Sequence, residues 1–320
     1  MSLTVSKAST RPASALRSTR LHQALAAALL IGLTPMAVNA ATIVVTSPDD
    51  TALAAANTCT LRQAIVSMNA PLSLQGSCTN SVPGDAFGTN DTITFAASSF
   101  NTPSGATTPG TVTLADSADS TGSIGGTLVI TAANLTIDAS AWRGGGAGQY
   151  PGGITITRSA TATNAFGIVR DTAATGSSLT LNGLTLSQGN AAATCNGYPA
   201  GGGVCIPAAN LTLVDSTVSG NSARGGGGIY STNGTLALTD STVSNNSAQY
   251  GGGIYSSSGT LILTNSTISG NSATAGRGGG IYPYVGTLTL TDSTISGNTA
   301  TNDGGGIYSY TGTLTVTNST

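Results

Sequence analysis

The chain has 320 residues, only 7% of them charged, with ten Lys and Arg against twelve acidic residues. Beyond residue 40 the only cations are six Arg, set against twelve Asp, so that part has a net charge of −6 and contains no Lys, Glu or His. So few scattered cations exclude nucleic acid as a partner, because phosphate binding needs clustered ones.

Residues 1–40 have the order of an export signal. A basic stretch (Lys7, Arg11, Arg17, Arg20) precedes an apolar run from Ala24 to Leu33, and Val38-Asn39-Ala40 ends in small residues a signal peptidase accepts. The run is too short to span a bilayer as a helix. The expected location is therefore outside the cytoplasm, at the cell surface, in the outer membrane or in the medium. Such a compartment is oxidising, and Cys59, Cys78, Cys195 and Cys205 form an even set. The nearest-neighbour choice is Cys59–Cys78 with Cys195–Cys205, although sequence alone allows three connectivities. Each such loop would contribute on the order of 3 kcal/mol. A metal site is the weaker reading, since no CxxC spacing exists and no His follows residue 40. No cofactor is expected.

Residues 41–100 contain Cys59-Thr-Leu-Arg-Gln-Ala-Ile65, continuing to Asn69-Ala70, and then Asn90-Asp-Thr-Ile-Thr-Phe95. Arg62 to Met68 is the one place where a short helix is expected, and it is placed to plug the open end of a stack of coils. This segment resembles the CSLREA segment near the start of many large exported bacterial β-helical proteins, with Thr60 for its Ser and Gln63 for its Glu. Residues 101–178 follow with Leu135-Thr-Ile-Asp138 and Ile154-Thr-Ile-Thr157, which resemble the irregular early coils of that family.

From residue 179 to 320 a repeat dominates. Leu211 to Asn221 recurs as Leu236 to Asn246, Leu261 to Asn271 and Leu288 to Asn298, and a fifth copy starts at Leu314. Gly-Gly-Gly-Ile-Tyr lies between copies, ending at Tyr230, Tyr255, Tyr282 and Tyr308. Each copy holds three β-like runs whose alternation sends Leu288, Leu290, Ile295 and Ile307 inward and Tyr308 outward. Like then stacks on like: Leu211, Leu236, Leu261, Leu288 and Leu314 form one inward row. A single coil of about 25 residues buries too little to hold itself, so coils must stack on backbone ladders. The predicted fold is all-β, a right-handed parallel β-helix with an N-terminal cap. A propeller needs about 40 residues per blade, and an antiparallel sandwich lacks so strict a repeat.

Asn221, Asn246, Asn271 and Asn298 read as a structural ladder, each placed after Gly or Asn where a left-handed backbone is cheap. Asp215, Asp240, Asn265, Asp292 and Asn318 mark another corner, with Asn interspersed to separate like charges. The Gly-Gly-Ile element and the Ile-Ser-Gly-Asn271 type of end resemble the repeats of polymorphic outer-membrane proteins, in which FxxN stands at the second position. The two resemblances cover about Cys59 to Thr320. They imply a pectin-lyase-like fold, export, and a surface or adhesive role.

An enzyme on this fold must be weighed, because related folds carry polysaccharide lyases and hydrolases. Without His, Lys, Glu or free Cys most general bases and nucleophiles are missing. Asp49-Asp50 lies in the front segment, and Arg224 and Arg277 have no evident acid cluster in their own coils. No catalytic residue is assigned. The candidate ligand-binding face is the tyrosine row, Tyr230, Tyr255, Tyr282 and Tyr308 with Tyr284 and Tyr310 beside it. Exposed aromatics in line would hold sugar rings or a protein partner, such as host-surface or matrix glycans and proteins. The competing reading is cross-coil packing alone. The last repeat stops at Thr320, so a longer protein is expected, with any membrane attachment through a C-terminal anchor outside this sequence. The reading is thus an adhesin-like or autotransporter-passenger surface protein. A secreted polysaccharide lyase or hydrolase and an inert surface scaffold are the alternatives.

Overall fold

Runs such as Leu-Thr-Leu-Thr put a methyl-rich side chain on one face of a strand and a hydroxyl on the other. Stacked every 25 residues or so, they make sheets with one dry side and one wet side. The computed structural model describes residues 40–320 apart from 51–56, 71–73, 82–86, 88–89, 101–109, 117–125, 144–152 and 192–193. The predicted export signal lies outside the described residues.

The longest sheet has nine parallel strands, from Thr42–Val45 and Thr92–Phe95 through Leu135–Asp138 to Thr311–Thr317. A second sheet has seven, from Thr111–Leu114 to Thr294–Ser296, and a third has six, from Leu128–Ile130 to Ile281–Pro283. The chain visits each sheet once per coil, which makes a parallel β-helix. Copies stack in strict register: Leu211 faces Leu236, which faces Leu261, Leu288 and then Leu314. The inward residues of all three sheets merge into one core running from Ile43 to Leu290.

Within the coils, two findings differ from the sequence expectations. A fourth sheet of two-residue strands, such as Ser247–Ala248 and Ser272–Ala273, adds a side to each regular coil. Two residues are too short to show alternation, so only the stacking reveals it. Leu314, placed in an inward row, is 45% exposed, because its strand pairs on one side only, with Val285–Thr291.

The corners explain the polar rows. Asp215, Asp240, Asn265, Asp292 and Asn318 all have φ near +50° and turn the chain from the long sheet to the second. Asp and Asn tolerate that left-handed backbone best among side-chain-bearing residues. At the next corner the left-handed residue is Gly220, Asn245, Gly270 or Gly297, just before the ladder asparagine. Asn221, Asn246 and Asn271 of the ladder are buried and Asn298 partly so. Asn221 Nδ2 donates to Asn246 Oδ1 at 3.0 Å, Asn246 Nδ2 to Asn271 Oδ1 at 3.0 Å, and Asn271 Nδ2 to Asn298 Oδ1 at 2.9 Å. Each Oδ1 also accepts the backbone N–H of the preceding ladder asparagine. A parallel serine ladder does similar work, with the N–H of Ser216, Ser241 and Ser266 each donating to the Oγ of the next coil's serine.

The triple glycines meet a different demand. Gly251 has φ +60°, and a Cβ on Gly252 would lie 2.4 Å from the Ser272 carbonyl oxygen of the next coil. Only glycine lets the backbones of successive coils approach this closely.

At the front, helix α1 spans Leu61–Asn69. Thr60 and Gln63 form a reciprocal capping box that fixes the helix start. The helix is nearly all buried and sits on Leu128–Ile130, which opens the third sheet. Asn69 Oδ1 accepts from the N–H of Thr131 and Ala132, and Asn69 Nδ2 donates to the Val129 carbonyl. Side chains of α1 thereby satisfy an edge that would otherwise be open. Short helical turns also occur at Ala97–Phe100 and Ser140–Trp142, so α1 is not the one helical segment. Among the described residues no helix is long and apolar enough to cross a membrane.

Candidate functional site: a tyrosine-lined cleft

The third sheet turns its outward side chains into a column. Cys205, Tyr230, Tyr255 and Tyr282 occupy one register position, and Tyr308 continues it. Ring centroids are 5.3 Å apart for Tyr230 and Tyr255, 5.0 Å for Tyr255 and Tyr282, and 5.2 Å for Tyr282 and Tyr308. These are the edge-to-face and offset contacts that stabilise aromatic pairs by about 0.5–1.5 kcal/mol.

Cys205 does not interrupt the column. It pairs with Cys195, while Cys59 pairs with Cys78. Cys195 belongs to a small antiparallel hairpin, Thr194–Cys195 against Tyr198–Pro199. The bridge fastens that hairpin to the sheet and brings the Tyr198 ring 6.1 Å from Tyr230. On the same side of the column, two coils further along, Tyr250 rises from the turn after Ser247–Ala248, against Gly276, where a Cβ would collide with its ring. Tyr198, Tyr230, Tyr250, Tyr255 and Tyr282 together line a cleft of about 350 Å³.

This arrangement revises the sequence picture of exposed rings in a line. Tyr230 and Tyr282 are buried, the latter only 6% exposed, and show the cleft little more than an edge. Tyr250 is 38% exposed and belongs to the cleft, although sequence reasoning passed over it and over Tyr198. Tyr284 and Tyr310 stack face to face at 4.8 Å beside the cleft, with Tyr310 53% exposed. Tyr308 sits at the far end, under the Arg277 guanidinium.

The electrostatics keep the phenols neutral. Burial pushes the hydroxyls of Tyr198, Tyr230, Tyr255 and Tyr282 above their ordinary value, and neighbouring tyrosines push Tyr255 further. All four stay protonated and can donate a hydrogen bond. The nearby cations are engaged: Arg224 lies over Tyr198 and donates from Nε to Gln249, and Arg277 pairs with Asp303 at 2.9 Å.

Several of the described acids elsewhere have structural partners or deep positions. Asp50 forms a two-pronged pair with Arg62, and Arg143 meets Asp215 at 3.3 Å. Among the described residues no group of three or more His, Cys or Asp side chains is placed to hold a metal ion. Asp171 is the most perturbed acid. It is 1% exposed, accepts one N–H from Ala173, and burial pushes its carboxyl up to about 6. A pKa raised on folding means that the native state favours the protonated acid. Its contribution to stability is then greatest below the unfolded value of about 3.9 and is lost as pH rises through about 6. Asp171→Asn, which retains an acceptor for Ala173, is expected to stabilise the protein by about 1–3 kcal/mol at pH 7.5 and by nothing at pH 4. Chemical denaturation at the two pH values checks this, and an equal effect at both would refute it.

A family model for the right-handed β-helix region matches residues 130–320. No curated protein and no solved structure matches this chain.

Proposed function

This chain belongs to the right-handed β-helix family, and from that premise we propose an exported surface or secreted protein whose coils present a binding face rather than a catalytic centre. Members of such a family include both surface proteins and pectin-lyase-like enzymes, so the choice between them rests on the site. The observation that carries the proposal is the tyrosine cleft: a concave, aromatic surface built by register across several coils, with a disulfide holding one wall. Export is supported by the signal-like residues 1–40 and by two disulfides, which persist in oxidising compartments. The acids described here serve the frame: Asp50 ties the cap, and Asp215, Asp240 and Asp292 turn corners.

The test uses bacteria producing the full chain, with protease shaving of intact cells to read location and attachment to glycan- and protein-coated surfaces to read function. Tyr282 is too buried to replace without loss of packing, so the informative variant is Tyr250→Ser, Tyr284→Ser and Tyr310→Ser combined. We expect surface exposure and an unchanged unfolding midpoint, with attachment reduced about tenfold or more, the equivalent of about 1.4 kcal/mol. Unchanged attachment would leave an inert scaffold. Release of unsaturated uronides from acidic polysaccharide would establish a lyase instead.

A further inference from the structure

We propose that the tyrosine cleft takes an uncharged polysaccharide chain lying along the helix axis, with sugar rings against the rings of Tyr198, Tyr250 and Tyr255. The inference rests on the binding-face reading above and names its ligand class.

Three features select this ligand. The first is the period. Successive coils repeat the aromatic position every 5.0–5.3 Å, close to the advance of one pyranose residue in an extended chain. The cleft therefore runs along the axis across several coils, the direction in which an extended polymer would lie. The second is the chemistry of the walls. Sugars present a C–H face and a rim of hydroxyls, and a tyrosine offers a π-face and one O–H in matching order. The raised pKa values mean that these O–H groups stay donors. No carboxylate, ammonium or guanidinium is among the lining residues, so charge does not select the ligand. The third is size. About 350 Å³ stands at the small end of ligand clefts. It fits a short stretch of chain passing through.

Arg277, beside Tyr282, is paired with Asp303, and the other flanking cation, Arg224, does not turn the cleft toward acidic polymers either. Its guanidinium faces the Tyr198 ring and its Nε donates to Gln249, and the chain beyond residue 40 has a net charge of −6. Its role here is to hold Tyr198 upright as one wall.

Affinity electrophoresis of the full chain in gels containing xylan, glucomannan, xyloglucan or polygalacturonate tests the assignment. We expect retardation by at least one of the three neutral polymers that persists in about 0.5 M NaCl, since stacking is not screened by salt. Tyr250→Ala should weaken it about tenfold, whereas Thr289→Ala, on the outer face of the longest sheet, should leave it unchanged. Far-ultraviolet circular dichroism and the unfolding midpoint report whether Tyr250→Ala still folds, and Tyr250→Phe, which keeps the ring, should recover most of the retardation. No retardation in any neutral polymer overturns the proposal, as does retardation by polygalacturonate alone that salt abolishes, or equal loss in both alanine variants. If cells still attach through the tyrosine face while no polysaccharide binds, the glycan assignment falls and the binding-face reading stands.

Discussion

Asn246→Ala is expected to cost about 2–5 kcal/mol, through the loss of the hydrogen bonds that its buried amide makes. Its Oδ1 accepts from the Asn221 backbone N–H at 2.9 Å and from Asn221 Nδ2 at 3.0 Å. Its Nδ2 donates to the Val218 carbonyl at 2.9 Å and to Asn271 Oδ1 at 3.0 Å. Alanine removes all four. Asn221 Nδ2 keeps the Leu186 carbonyl, and Asn271 Oδ1 keeps the Asn246 N–H, so these two groups are still satisfied. The Asn221 N–H is not, which costs about 1–3 kcal/mol, and each of the other lost bonds adds about 0.5–1.5 kcal/mol. Hydrogen exchange gives the sharper readout, because loss of protection at the Asn221 amide reports the specific bond. Asn246→Asp separates the contributions further. It keeps the acceptor for Asn221 but points a second oxygen at two acceptors, which raises the carboxyl pKa in the folded state. Its deficit should be largest at neutral pH and shrink toward about pH 4, as the acid takes up its proton. A cost below about 0.5 kcal/mol for Asn246→Ala, with Asn221 still protected, would show that the ladder is decorative.

That ladder shows how much of the fold the sequence carries. Repetition at 25–27 residues forces like onto like, so the leucine rows, the asparagine stack and the outward tyrosines follow from spacing alone. What spacing could not show is which partner a side chain chooses across coils. The acceptance of backbone N–H groups by Asn246 and Asn271, and the whole serine ladder, arise from corner geometry that stacking creates. The fourth sheet was hidden because Ser222–Ala223 is too short to carry a period. The cleft was half legible. Tyr230, Tyr255 and Tyr282 stand at one repeat position, whereas Tyr198 arrives through the Cys195–Cys205 bridge and Tyr250 at a corner position that Gly225 holds in the previous coil. Nothing in either local sequence marks it as a wall of the same site. Residues 101–178 gave least, since their strands pair in register without any repeated sequence to announce it.

Arg62→Ala is expected to destabilise the front of the coil stack by about 3–5 kcal/mol, the cost of breaking a buried ion pair from one side. Arg62 is almost wholly buried in α1 and reaches two elements at once. Its Nε and one terminal nitrogen hold the two oxygens of Asp50 at 2.8 Å each, and its terminal nitrogens donate to the carbonyls of Gly126 and Thr127. Asp50 in turn accepts the Ala115 N–H at 3.0 Å. The pair thus joins the capping helix to the chain entering the third sheet and to the end of the first strand of the second. Truncation strands a carboxylate in a site where burial already works to raise its pKa. The variant should therefore regain stability as pH falls and the acid is neutralised, a dependence that loss of packing alone would not produce. The decisive comparison is with Arg62→Met combined with Asp50→Leu, which removes both charges and fills the space. If the pair matters chiefly as a compensated charge, the double variant should unfold at higher denaturant than Arg62→Ala despite having lost more polar contacts. If instead the Gly126 and Thr127 carbonyls are the point, the double variant will be no better, because neither Met nor Leu can donate to them. Either result assigns the work of this arginine, and the first would mean that the cap is held on by packing once its charges are balanced.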